Sequence, residues 1–448
     1  MKHLSMAILL LSAATASAVV PEISNVVLSQ DEASRKVTVS YTLSGGAAYV
    51  TADVRTNGVS TGVILAQVSG DVNRMVDAGN RSFVWKAHRD WRGNMAEVTV
   101  RLSARPRGKM PDYLVIDLKN ANTRAYFATS NDVPGGVADL AYKTDYLLMR
   151  RIPARGVTWR MGQPNGFEPC GGTGTSTDAA YEPTVRDNET GHKVALTEDF
   201  YIGVYEFTQR QYYNMTKENP SERKKGSKDS LYEESKAWPV ESVSYNTLRG
   251  ISTETWKGWP QEGHRVADGS FLRTIRDFTG IESLDLPTES QWEYACRAGT
   301  KTSLNSGVDA VNTFTGVGNA DPEYAKVGWS QYSTAYDSRA GQTHHDVGLL
   351  MPNAWGLYDM HGNVHEICLD WYSASDDYRA TFAPGWTLGE ATVDPKGPAT
   401  GTARVVRGGD WWYSAAWGRS AARIISSYTP ERATYHYGFR LVCAATAE

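Results

Sequence analysis

The stretch Asn353–Tyr372, NAWGLYDMHGNVHEICLDWY, holds three carboxylates, Asp359, Glu366 and Asp370, around the pair Gly362-Asn363. A Gly-Asn pair marks a tight turn where the backbone can fold close to a neighbour. Asp359 and Glu366 flank that turn. Two hard oxygen donors with backbone carbonyls between them suit Ca²⁺. The same residues also read as a plain turn packed under Trp355, Tyr358 and Trp371, and residue types alone leave both readings open. The four cysteines are Cys170, Cys296, Cys368 and Cys443. They permit three disulfide pairings, or act as buried thiols filling core space. No C-x-x-C occurs, which argues against a zinc or thioredoxin-type site. His344-His345, next to Asp346, reads as a polar surface pair.

These groups need elements to hold them. A chain of 448 residues has room for two or three domains and an ample core. Charged residues make up 21 %, the formal net charge is −4, and no Lys/Arg block stands out, so nothing predicts nucleic-acid binding. Fourteen Trp with 41 Gly point to a loop-rich fold held by aromatic packing. At the N-terminus, Lys2, the apolar run Met6–Leu11 and Ala16-Ser17-Ala18 read as a signal peptide cleaved after Ala18. The run is too short to span a bilayer. A periplasmic or secreted protein without a membrane anchor is the expectation.

Residues 19–107 read as an all-β sandwich. Lys36–Leu43 and Tyr49–Val54 alternate, and Phe83–Trp85 and Glu97–Leu102 add strands between frequent turns. Residues 108–145 read as a connector containing a strand, Tyr113–Asp117. Tyr146–Ile152 reads as the first strand of a second domain. Within that domain, Leu286–Thr300 predicts a short amphipathic helix opened by Pro287, capped by Thr288 or Asp285 and ended by Gly299. The charged run at 222–230 reads as a solvated loop.

Several motifs in the order of the chain resemble the formylglycine-generating enzyme (sulfatase-modifying factor) family. They are Gly156–Gly162 (GVTWRMG), Phe200–Gln211 (FYIGVYEFTQRQ), Trp238–Tyr245 (WPVESVSY), Leu286–Thr300 (LPTESQWEYACRAGT), Asn353–Tyr372, Arg404–Arg423 and Gly438–Leu441 (GFRL). The resemblance runs from about 146 to 445. The N-terminal part resembles a fibronectin-III or immunoglobulin-like module. The resemblance implies an α+β, C-type-lectin-like domain of short helices and long loops behind that module. It also implies calcium held by the Asp359 and Glu366 side chains and the Gly362 and Val364 carbonyls. A Cys296–Cys443 disulfide is implied too, with Cys170 and Cys368 left over.

The family's chemistry needs two thiolates that hold copper(I), a soft ion that prefers sulfur. In RVVRGGDWWYSAAWGRSAAR, Arg404–Arg423, those two positions are Tyr413 and Gly418, and Asp410 stands for the family's serine. Copper is therefore not expected, and the family's oxidation of a sulfatase cysteine ranks last. Near the implied cleft stand His365, Asp410 and His436, a two-histidine, one-carboxylate set that would suit iron or zinc. With Trp411, Trp412, Tyr413 and Trp417, the same residues can instead line a binding cleft. The leading reading is a calcium-stabilised module binding an extracytoplasmic protein, peptide or glycan. The alternative is a divergent metal-dependent oxidoreductase. The resemblance extends to exported relatives, for example in siderophore maturation, that work without the cysteine pair.

Overall fold

The computed structural model describes residues 20–61, 63–65, 67–91, 97–106, 109–162, 189, 191–223, 235–250, 266–310, 321–331, 343–372, 390–398, 400–423 and 428–445. The expected signal peptide, Cys170 and most of the 222–230 charge run lie outside these residues.

The N-terminal module is all β. Its strands are β1 (Glu22–Asp31), β2 (Lys36–Ser44), β3 (Ala48–Thr56), β4 (Val59–Ser60), β5 (Val68–Gly70), β6 (Arg74–Val76), β7 (Gly79–Trp85) and β8 (Thr99–Pro106), with a single helical turn, α1 (Ala87–Asp90). They form two sheets, β1-β2-β7-β5 and β4-β3-β6 with β8 on β3. The alternation of β2 sets the register: Val37, Val39, Tyr41 and Leu43 are buried, and Val39 sits opposite Phe83. The last strand begins at Thr99, not Glu97, and pairs along β3 as far as Ala48↔Pro106.

The second body begins earlier than the sequence suggested. Strand β9 (Tyr113–Asp117) falls where expected, but it pairs with β10 (Arg124–Phe127) and β11 (Tyr146–Ile152) in one sheet, β10-β9-β11-β14-β19. The described part of the expected connector, from residue 109 on, therefore belongs to the domain, with β10 at the edge of its sheet. Leu148 lies opposite Val115, and every residue of β9 is buried. The remaining strands are β12 (Val157–Met161), β13 (His192–Leu196), β14 (Phe200–Gly203), β15 (His365–Trp371), β16 (Thr392–Val393), β17 (Arg404–Arg407), β18 (Tyr437–Gly438) and β19 (Val442–Ala444). Short helices lie between them: α2 (Gln209–Thr216), α3 (Tyr245–Arg249), α4 (Phe271–Thr279), α5 (Glu289–Arg297) and α6 (Tyr324–Val327). Short helices, small sheets and long connections are the α+β, C-type-lectin-like arrangement expected.

Helix α5 is the spine of this body. Thr288 caps it: its hydroxyl accepts from Gln291 N–H, and the Gln291 side chain accepts from Thr288 N–H at 2.9 Å. It ends at Ala298 in the left-handed region, one residue before Gly299. All nine of its residues are buried, so it is not amphipathic but enclosed. Its acids are matched by arginines: Glu289 by Arg423 (2.5 Å), and Glu293 by Arg297 (2.8 Å) and Arg407. Paired and hydrogen-bonded, these charges can sit in the core; alone they could not.

The two bodies meet through Tyr49 of β3, whose ring stands edge-on to Tyr126 of β10 with centroids 4.9 Å apart. Ion pairs Arg105–Asp112 (3.1 Å) and Arg101–Asp132 (3.2 Å) flank that contact.

Candidate functional site

Strand β15 delivers one half of the site and the loop after β17 the other. Strand β15 is the middle of the sheet β17-β15-β18. Glu366 pairs with Arg407 on one side and Gly438 on the other, while His365 lies beside Tyr437. Next to β17 come Gly408 (φ +94°) and Gly409 (φ +73°). A Cβ on Gly409 would meet the Gly418 Cα at 2.6 Å, so the loop can close back on itself only with glycine there.

That closure also places the two positions, Tyr413 and Gly418, where the family carries its thiolates. Tyr413 is 43 % exposed at the surface. Gly418 lies beneath, and a Cβ on it would stand 1.8 Å from the Tyr324 hydroxyl. Tyr324, fully buried, donates to the His361 carbonyl at 2.7 Å and occupies the space a second thiol would need. Tyr324 is a residue that the sequence did not single out, because its partner in space is about ninety residues away in the chain.

His365, Asp410 and His436 do come together. Asp410 is fully buried. Its Oδ1 accepts from the Trp412 and Tyr413 N–H groups at 3.0 and 2.8 Å, which fixes the carboxylate. Its Oδ2 accepts a short hydrogen bond from His436 Nδ1 and lies 3.7 Å from His365 Nε2. The two imidazoles and the backbone N–H groups hold Asp410 below the usual carboxylate range, against the cost of burial. Burial pushes His365 down to about 4, so it is neutral. The iron or zinc set does not fit this arrangement. His436 Nδ1 is turned onto the carboxylate as a hydrogen-bond donor, and His365 Nε2 stands 3.7 Å from the same oxygen. Among the described residues no group of three or more His, Cys, Asp or Glu is placed to hold a metal.

The cleft residues also separate into two layers. Trp411 is buried, with its indole N–H donating to His344 Nε2 at 3.0 Å. Trp412 (37 % exposed) and Tyr413 face outward, and Trp417 packs behind Tyr413 at a ring distance of 6.1 Å. His436 lies between, with Tyr435 at 4.3 Å ring to ring. His344 and His345 are not polar surface. His344 is buried and pushed down to about 3, and His345 stacks on Trp329 at 3.6 Å.

The expected calcium ligands meet a mixed geometry. Asp359 Oδ2 accepts from Gly348 N–H at 2.6 Å, while the buried Oδ1 has no partner. Glu206 turns out to share this locus. Its Oε1 accepts from Val364 N–H at 2.9 Å and its Oε2 also lacks a partner. Burial and the nearby Asp359 charge push Glu206 well above the usual range, and burial raises Asp359 to about 6. Glu366 does not fit a calcium ion. Arg440 grips it through Nε and Nη2, both at 2.6 Å, and Trp292 Nε1 donates at 2.7 Å. A guanidinium already supplies the cation there. Gly362, at φ +91°, serves the turn, since a Cβ would strike the Trp329 carbonyl at 2.2 Å.

The expected Cys296–Cys443 disulfide is not formed: Cys296, Cys368 and Cys443 are buried thiols. Cys296 Sγ faces the Met360 carbonyl and Ser420, whereas Cys443 Sγ packs on Met149 Sδ at 3.9 Å. The two side chains serve different parts of the core.

Residues 170–445 match the model of the sulfatase-modifying factor enzyme 1-like domain. The chain is similar to a formylglycine-generating enzyme of Thermomonospora curvata, 36 % identical over 163 residues, covering 36 % of this chain and 48 % of that one. It is also similar to a chaperone protein LppX of Paenibacillus barcinonensis, 25 % identical over 255 residues, covering 51 % and 86 %. The chain thus spans about half the length of the formylglycine-generating enzyme it matches. Among solved structures, the Treponema denticola variable protein 1 covers 67 % of this chain and 95 % of its own, at 24 % identity and a TM-score of 0.43. PvdO from Pseudomonas aeruginosa covers 66 % and 94 %, at 20 % identity and a TM-score of 0.42.

Proposed function

The chain belongs to the sulfatase-modifying factor enzyme 1-like family, and from that premise we propose that it is an exported binding module. Its ligand, a peptide or glycan, docks on the face made by Trp412 and Tyr413. The observation that carries this reading is the pair of large aromatic side chains left at the surface, 37 % and 43 % exposed, one of which, Tyr413, stands at a position where the family carries a thiolate. Exposed rings flanked by polar groups stack on sugar rings and on peptide side chains, and they supply contact area at low entropic cost. Beneath them Asp410, held by two backbone N–H groups, keeps the loop in one conformation. A rigid aromatic face loses little freedom on binding. Export is part of the proposal; among the described residues no helix is long and apolar enough to cross a membrane.

Calcium belongs to the proposal in a reduced form, with Asp359 and the Gly362 and Val364 carbonyls as ligands and without Glu366. The unpartnered buried oxygens of Asp359 and Glu206 support it, since a buried carboxylate needs a proton or a cation. EDTA is then expected to lower the melting temperature and calcium to restore it. Equal melting temperatures in the two conditions would remove the ion from the account.

The binding reading is tested with the mature chain on glycan and peptide arrays beside a Trp412→Ala/Tyr413→Ala double variant. Binding by the wild type that the variant loses is the expected result. A stoichiometric copper(I)–thiolate absorption, or iron retained through purification, would favour the oxidoreductase reading instead.

A further inference from the structure

We propose that Asp410 and His436 form a dyad in which His436 is a general base, making the aromatic face a site of proton abstraction from a hydroxyl, that of water or of a seated ligand. Four observations converge on it. Asp410 is fully buried, and two backbone N–H groups at 3.0 and 2.8 Å fix its Oδ1, which aims Oδ2 at the imidazole. His436 donates from Nδ1 to that oxygen. This fixes the tautomer and leaves Nε2 as the nitrogen free to take a proton. Nε2 has no hydrogen-bond partner among the described residues, and the His436 side chain keeps 16 % of its surface exposed. Finally, Trp412 and Tyr413, which provide the docking face, stand two and three residues after Asp410 in the chain, and their N–H groups are the ones that hold its Oδ1.

The contrast with His361 separates this pair from a structural histidine. His361 is buried with both nitrogens engaged, Nε2 accepting from Asn305 N–H at 3.0 Å and Nδ1 bonded to the Gly418 carbonyl at 2.6 Å. His436 has one nitrogen held and one left open at the surface. The groups around the dyad are His365, His344, Tyr413, Tyr435 and Tyr437. His365 is pushed down by burial and packs beside the dyad, its Nε2 3.7 Å from Asp410 Oδ2. The carboxylate stabilises the imidazolium that forms on proton uptake, as an oriented acid does in hydrolytic triads.

With water and an ester, the step balances without a further reagent. Nε2 takes a proton from water as the water oxygen forms a bond to the ester carbonyl carbon. The carbon–oxygen bond to the leaving alcohol then breaks, and His436 returns the proton to that alcohol. The products are one acid and one alcohol, and the dyad is restored.

The inference shares the face of the binding reading, but its test needs no natural ligand. Failure of one therefore leaves the other standing. The probe is p-nitrophenyl acetate with the full chain. Positioned general bases contribute roughly 10²–10⁴-fold. The His436→Gln variant is expected to lose at least about tenfold of the rate by that measure, and Asp410→Asn most of it, while His88→Gln, far from the face, is unchanged. A slower wild-type rate in D₂O marks proton transfer rather than direct attack by the ring. Nitrogen-15 NMR of the wild type gives a readout independent of how the variants fold: a proton on Nδ1 of His436 at neutral pH supports the dyad. Equal rates for wild type and His436→Gln, or a proton resident on Nε2, would overturn it.

Discussion

Glu366 is fully buried in the middle strand of its sheet, between Arg407 and Gly438. Its position beside a Gly-Asn turn reads as an ion ligand, yet its two oxygens are held by Arg440 and Trp292. Breaking a fully buried ion pair from one side leaves an uncompensated charge, at a cost of about 3–5 kcal/mol. Glu366→Ala is therefore expected to destabilise the fold by that order in urea titration, and equally in calcium and in EDTA. A loss seen only in calcium would restore Glu366 to the ion. Asp370 offers a test by pH. Burial and the Glu289 charge raise it from 3.8 to about 7. Between those values the native state binds a proton that the unfolded chain releases, so stability is lost as pH rises toward 7. Asp370→Asn cannot ionise. Its stability relative to wild type should grow from pH 4 to 7 and level off above. A difference that is flat with pH would refute the shift.

At the scale of elements, α5 and the Gly408–Gly418 loop set what the site can become. Both rest on contacts between residues far apart in sequence. Adding the missing thiols as Tyr413→Cys/Gly418→Cys should lower the melting temperature and bind no copper(I), because the Tyr324 hydroxyl stands 1.8 Å from where the new Cβ would be. Stoichiometric copper(I) in that variant would show that the loop can open. Strands with strict alternation, such as β2, and motifs with a local cap, such as Thr288, were legible from sequence because their signal lies within a few residues. The pairing of Asp410 with His436 across 26 residues was half legible: the residue types were noticed, but a metal and a hydrogen bond look alike until distances are known. The choice between a disulfide and buried thiols is not legible, since sequence does not say that Cys296 faces Met360 while Cys443 faces Met149. The edge role of 108–145 was missed for the same reason; β10 is only four residues long, and pairing alone reveals it.

For the whole molecule, the boundary between the bodies falls before β9, not after it. A chain beginning at residue 109 should fold, with a cooperative thermal transition. One beginning at 146 should not, because β11 would lose the β9 edge that pairs with it from Tyr146↔Asp117 to Arg150↔Tyr113. Cooperative folding of the shorter chain would return 108–145 to a connector. The N-terminal module sits on this edge through Tyr49 and Tyr126, which holds it against the domain as more than a loose tether. The face formed by Trp412 and Tyr413 lies on the other body, and its capacity to bind is the central claim. The most direct test is the array measurement with wild type and Trp412→Ala/Tyr413→Ala side by side. The account predicts a defined set of peptide or glycan ligands, each lost in the double variant while the melting temperature stays within a few degrees. Ligands retained by the double variant would contradict it.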